Sequence, residues 1–148
     1  MNVLQLEHWI LDRYEGIIVI DAYRERSFFY NPDCSMKKGI YFTTIKERDG
    51  PNDKASHLDR AGVFRLSIGL DRNSYQQLFG NVPKRPSKGG IVELDYDFTL
   101  TGVLMPHPIY AWLCWVCINN PTIQHLDVLK HLLDTAYQNV LFKFARRP

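Results

Sequence analysis

GIIVIDAYRERSFFYNPDCSMKKGIYFTTIKE, residues 16–47, decides the fold class. Runs of β-branched and aromatic residues at 16–23, 26–32 and 39–47 are punctuated by Asn-Pro-Asp and Lys-Lys-Gly, the pattern of strands bounded by turns. Three strands so close in sequence form an antiparallel meander. A fourth run, GVFRLSIGL at 62–70, alternates cleanly. Phe64, Leu66, Ile68 and Leu70 point one way, and Val63, Arg65, Ser67 and Gly69 the other. Between the third and fourth runs, RDGPNDKASHLDR at 48–60 is charged, contains Gly and Pro, and has no hydrophobic period, so it reads as a long loop.

Helices flank these strands. Val3, Leu6, Trp9, Ile10 and Tyr14 keep the three-and-four spacing of an amphipathic helix that ends at Gly16. Asp71 or Asn73 caps a short helix through Tyr75, Leu78 and Phe79, stopped by Gly80 and Pro83. A basic loop, NVPKRPSKGG at 81–90, leads to an acidic strand-like run at 91–100 and a strongly β-forming run at 109–120. Asn120-Pro121-Thr122 then opens a helix marked by Leu126, Leu129, Leu133, Ala136, Val140 and Phe144, with Lys143, Arg146 and Arg147 at its C-terminal end.

The order α-β-β-β-β-α-β-β-α predicts one α+β domain over residues 1–148. Two layers are expected, with helices on one face of a mostly antiparallel sheet. Arg65, Ser67, Thr43 and Glu47 are assigned to the opposite, partly polar face, which can be wet, bind a ligand or form a homodimer.

Composition bounds the function. The chain has 148 residues, 45% hydrophobic and 23% charged, with a formal charge of +2. That is an ordinary globular composition, without the basic excess of a dedicated nucleic-acid domain. Glu7, His8, Asp12 and Arg13 interrupt any signal-peptide core, and Ile109–Ile118 is too short to span a membrane. Cys34, Cys114 and Cys117 are odd in number. No membrane association and a reducing, cytoplasmic location are therefore expected. No HExxH, Walker loop, GxSxG or GxGxxG occurs, so no cofactor is expected.

The runs FFYNP (28–32), YFTTIKERDGPNDKASHLDRAGVFRLSIGL (41–70), LFG (78–80), MPHPIYAW (105–112) and WVCINNP (115–121) resemble an uncharacterised family of small bacterial proteins without an assigned function. The order of elements and the ending, a Trp-rich strand, an Asn-Pro turn and a helix closing on AYQNV (136–140), is similar to the MmcQ/YjbR-like proteins. That similarity implies a two-layer, secretion-chaperone-like α+β fold and a nucleic-acid-binding role. HLDRAGVFRL lies outside the MmcQ/YjbR pattern.

Cys114 and Cys117 have C-x-x-C spacing, but positions i and i+3 of a strand face opposite sides and no second pair completes a four-ligand set. No metal site is expected. His8, His125 and His131 read as helix surface or boundary residues. One constellation stands out: His57, Asp59 and Arg60 at the end of the long loop, Arg65 on the fourth strand, and His107 between two prolines that stiffen its backbone. The structural reading has Asp59 and Arg60 pairing locally and His107 satisfying a buried carbonyl. The ligand-binding reading has Arg65, His107, His57 and Arg60 around one site, with Arg65 contributing little to stability.

The expected function is non-catalytic binding of a protein partner or small ligand on the open sheet face. One alternative is a small enzyme with His107 or His57 as general base, Asp59 orienting it and Arg65 holding an anion. The other is nucleic-acid binding through Lys84, Arg85, Lys88, Lys143, Arg146 and Arg147.

Overall fold

The computed structural model describes residues 1–148. Its elements are α1 (Val3–Arg13), β1 (Ile17–Ala22), β2 (Glu25–Tyr30), β3 (Ile40–Lys46), β4 (Arg65–Gly69), α2 (Arg72–Phe79), β5 (Leu104–Pro106), β6 (Trp115–Asn119) and α3 (Leu126–Ala145). The strands form one open sheet in the order β1-β2-β3-β4-β6-β5, and every neighbouring pair is antiparallel. The fold is α+β. No helix is long and apolar enough to cross a membrane.

One sheet face carries the main core. Cross-strand partners share a face, so the pairings Thr43↔Ile68, Ile45↔Leu66, Leu66↔Ile118 and Ile68↔Val116 put Ile45, Leu66, Ile68, Val116 and Ile118 on the same side. Helix α3 lies over β2, β3 and β4 and buries Leu129, Leu133, Ala136 and Val140 at helical spacing into that core. Helix α1 packs beside it. Asn2 and Gln5 cap each other's backbone N–H groups, which satisfies donors that the first turn leaves free. Leu6 and Ile10 are buried, and the Tyr14 ring sits 5.1 Å from Phe42 and 4.9 Å from Tyr137. The Tyr14 hydroxyl donates to Asp134 at 2.6 Å, tying α1 to α3.

Three local expectations are corrected. Residues 91–100 form no strand, although Val92 and Phe98 are buried and Glu93, Asp95 and Asp97 are exposed. Tyr96 and Leu100, in the same phase as Val92 and Phe98, are exposed, and the amides of Leu94 and Tyr96 donate to carbonyls two residues back rather than to a neighbouring strand. The strand at the sheet edge is instead the short β5.

The 109–120 run is only half strand. Ala111–Leu113 is a 3-10 turn, and Cys114 has φ 70°, which reverses the chain so that β5 and β6 pair as a hairpin. Finally, Thr43 and Glu47 lie on the helix side. Thr43 pairs with Ile68 and donates to the Ser67 carbonyl at 2.6 Å, and Glu47 pairs with Arg26, which also meets Glu7 of α1 at 3.3 Å. A one-residue error in register moves every side chain to the other face. Here Phe42 is the extra residue of a β-bulge opposite Phe28 and Phe29.

Candidate functional site

The second sheet face is built in rows across the strands. Glu25, Lys46, Arg65 and Asn119 are successive cross-strand partners. The next row contains Ser27, Thr44, Ser67, Cys117 and Met105, and a third holds Phe29, Tyr41, Gly69 and Trp115. Charge, hydroxyl and aromatic character thus change stepwise along the strands.

Arg65 is fully buried, at 0% exposure. Such a charge is tolerable only when paired. The long loop supplies the partner: Asp53 accepts from both terminal nitrogens of the guanidinium, one of them at 3.0 Å, and Ser56 accepts at 3.0 Å. Burial opposes both charges. Even so, the hydrogen bonds and attraction between the two hold the Arg65 pKa above and the Asp53 pKa below its ordinary value. Loop 48–64 is therefore fastened over the Arg65 end of this face. Arg65 gives both terminal nitrogens to this loop.

The same face holds a cavity of about 270 Å³. Thr44 and Ser67 line it from the hydroxyl row, Tyr41 and Trp115 from the aromatic row, and Glu25 from the charged row. His107, Tyr110 and Leu113 close it from the β5–β6 connection. The Ser67 Oγ is buried without any hydrogen-bond partner. Tyr41 and Trp115 meet edge to face with centroids 6.2 Å apart.

His107 does not satisfy a carbonyl. Its Nδ1 accepts from the amides of Ile109 and Tyr110, both at 3.1 Å, so the ring organises the turn that follows it. In the neutral ring the proton then sits on Nε2. Burial lowers the pKa well below the ordinary imidazole value, and the nearby charges of Arg65 and Lys46 add to the effect. The neutral imidazole is a hydrogen-bond donor through Nε2.

The sequence constellation divides. Arg65 and His107 both belong to this face, His107 lining the cavity and Arg65 lying outside its lining. His57, Asp59 and Arg60 do not join them. Asp59 accepts from the Asp49 amide, and Arg60 donates to the carbonyls of His57, Ser56 and Thr99. Asp59 and Arg60 line a separate, wider depression of about 740 Å³ with Arg24, Arg48 and Asn120. His57 is exposed, with φ 51°.

Sequence reasoning missed Asp53, Glu25, Thr44, Tyr41 and Trp115. The only available signal was the alternation that put Ser67 and Gly69 beside Arg65. Cys114 and Cys117 are free thiols, and burial raises the pKa of both, to about 12 for Cys117. No group of three or more His, Cys, Asp or Glu side chains is placed to hold a metal. Of the basic side chains, Arg85 stacks on Trp112 at 4.7 Å, and Arg147 lies over Phe144 at 3.5 Å and meets Asp33 at 3.6 Å.

Gly69 shapes the cavity wall. A Cβ there would lie 2.9 Å from two atoms of the Trp115 indole. Gly69→Ala is therefore expected to push the indole aside, to cost about 1 to 3 kcal/mol by overpacking, and to change the near-ultraviolet circular dichroism. Urea unfolding checks the cost, and an unchanged aromatic spectrum would refute the contact.

Comparison with the curated proteins and with the solved structures returns no match. A family model described as "Family of unknown function (DUF6194)" matches residues 1–148, and the protein belongs to that family.

Proposed function

We propose that the protein is a non-catalytic binding module for a small polar ligand seated in the cavity above Thr44 and Ser67. The observation that carries this reading is the buried Ser67 Oγ without a partner, in a cavity that also receives His107. Leaving a buried hydroxyl unpaired costs about 1 to 3 kcal/mol, a cost that a ligand's acceptor removes. Aromatic walls with a few convergent polar groups suit small-molecule sites, and about 270 Å³ lies below the roughly 300–1,000 Å³ of drug-sized ones.

The enzyme reading has less support, since a ring whose Nδ1 is occupied and whose Nε2 is protonated is a poor base. The nucleic-acid reading, suggested by similarity to the MmcQ/YjbR-like proteins, has less support because Arg85 and Arg147 are engaged within the protein. A fragment screen by protein-observed NMR tests the proposal. Hits are expected to shift the Trp115 indole resonance, and Ser67→Val, which fills the floor, should abolish them. Hits that map only to the Asp59–Arg60 depression, or that ignore Ser67→Val, would reject it.

A further inference from the structure

The cavity's one carboxylate and its partnerless hydroxyl come from different strands. Glu25 stands at the β2 end and takes no part in any ion pair. Its row neighbours Lys46 and Arg65 do not line the cavity, and Arg65 is neutralised by Asp53 behind the wall. Toward β4 stand the Ser67 hydroxyl, buried without a partner, and His107, whose Nδ1 is taken by the turn amides so that the proton is left on Nε2. Tyr41, Tyr110 and Trp115 also line the cavity.

Building on the small-ligand reading, we infer that the occupant is a small zwitterion, an amino-acid-like molecule with its ammonium at Glu25 and its carboxylate at Ser67 and His107. An aromatic wall attracts a cation through its quadrupole, and hydrogen bonds to ionised groups are about twice as strong as neutral ones. A simple amine would leave both donors at the β4 end unused. A simple carboxylate would leave Glu25 unpaired in the same cavity. Glu25 and Ser67 are two strands and two residues apart, which strand spacing and rise convert to roughly 12 Å between Cα atoms. After the side chains reach inward, an ω-amino acid bridges the remaining gap, whereas glycine is too short.

The test uses the full chain and isothermal titration with glycine, 4-aminobutanoate, 6-aminohexanoate, butylamine and butanoate. One of the two ω-amino acids is expected to bind at least about tenfold more tightly than glycine, butylamine or butanoate, the loss of one charge-assisted contact. Glu25→Gln should weaken the ω-amino acid and butylamine about tenfold and leave butanoate unchanged. Ser67→Ala, which removes a hydroxyl with no partner in the fold, should do the converse. Equal binding of butanoate and the ω-amino acids, or indifference to Glu25→Gln, would overturn the inference. If neutral fragments shift Trp115 while no zwitterion binds, the zwitterion falls and the small-ligand reading stands. If neither binds, both fall.

Discussion

Asp53→Ala is expected to destabilise the protein by about 3 to 5 kcal/mol, the cost of leaving one member of a buried pair without its partner. Arg65 has no exposed surface and its Nε already lacks an acceptor. After the substitution its terminal nitrogens keep only Ser56. The guanidinium cannot discharge itself, because arginine stays protonated in proteins. Total stabilities are about 5 to 15 kcal/mol, so the loss is severe. Removing both partners, as Asp53→Ala with Arg65→Met, should recover most of it, since an apolar replacement of a buried pair is often near neutral.

The pair also sets an acid limit. The folded-state pKa of Asp53 is lowered, so its contribution is present above the unfolded carboxyl value of about 3.9 and disappears as pH falls through the folded value. Urea unfolding of the three proteins at neutral pH measures the effect, with limited proteolysis at Arg48 and Lys54 reporting release of the loop. A cost below about 1 kcal/mol for Asp53→Ala, the worth of a surface pair, would show that the guanidinium finds water.

How far the sequence could be read depends on whether a feature is local. Alternation through Phe64–Leu70 sorted core side chains from Arg65 and Ser67, because a strand's period of two is intrinsic to its backbone. The bulge at Phe42 is a property of two paired strands, which is why Thr43 and Glu47 were assigned to the wrong face. In residues 91–100 the alternation of acidic and apolar residues reads as a strand, yet side-chain alternation does not reveal whether a neighbouring strand is present to pair with.

The site was half visible for the same reason. The two prolines around His107 signalled a stiff turn, yet nothing local announced that its ring would cap the following amides. Asp53 lies in a charged loop without periodicity, and only the completed fold selects it over Asp49 or Asp59 as the partner of Arg65. Glu25, Tyr41 and Trp115 meet through strand order, which sequence patterning leaves open.

The second large effect is a pH dependence that belongs to His107. Its Nδ1 is held by two backbone amides, its surroundings are buried, and Arg65 and Lys46 oppose a further positive charge. The folded ring therefore stays neutral below the pH at which an unfolded histidine, with a pKa of about 6.5, takes up a proton. Below that value the unfolded chain binds more protons than the folded one, and stability falls with falling pH, approaching about 1.4 kcal/mol per unit for one group.

This contribution is fully present above about pH 6.5, and its loss continues downward until the folded ring itself protonates. The slope sets in gradually as pH falls through about 6.5, the unfolded value. His107→Gln can still accept from the turn amides through Oε1 but cannot titrate. Its unfolding free energy should therefore lack this slope while the other four histidines remain as an internal reference. Urea titrations of both proteins at half-unit steps between pH 5 and 7.5 give the difference directly. Parallel pH curves would mean that the ring protonates in place, with the Ile109 and Tyr110 amides released and the turn remodelled around an imidazolium.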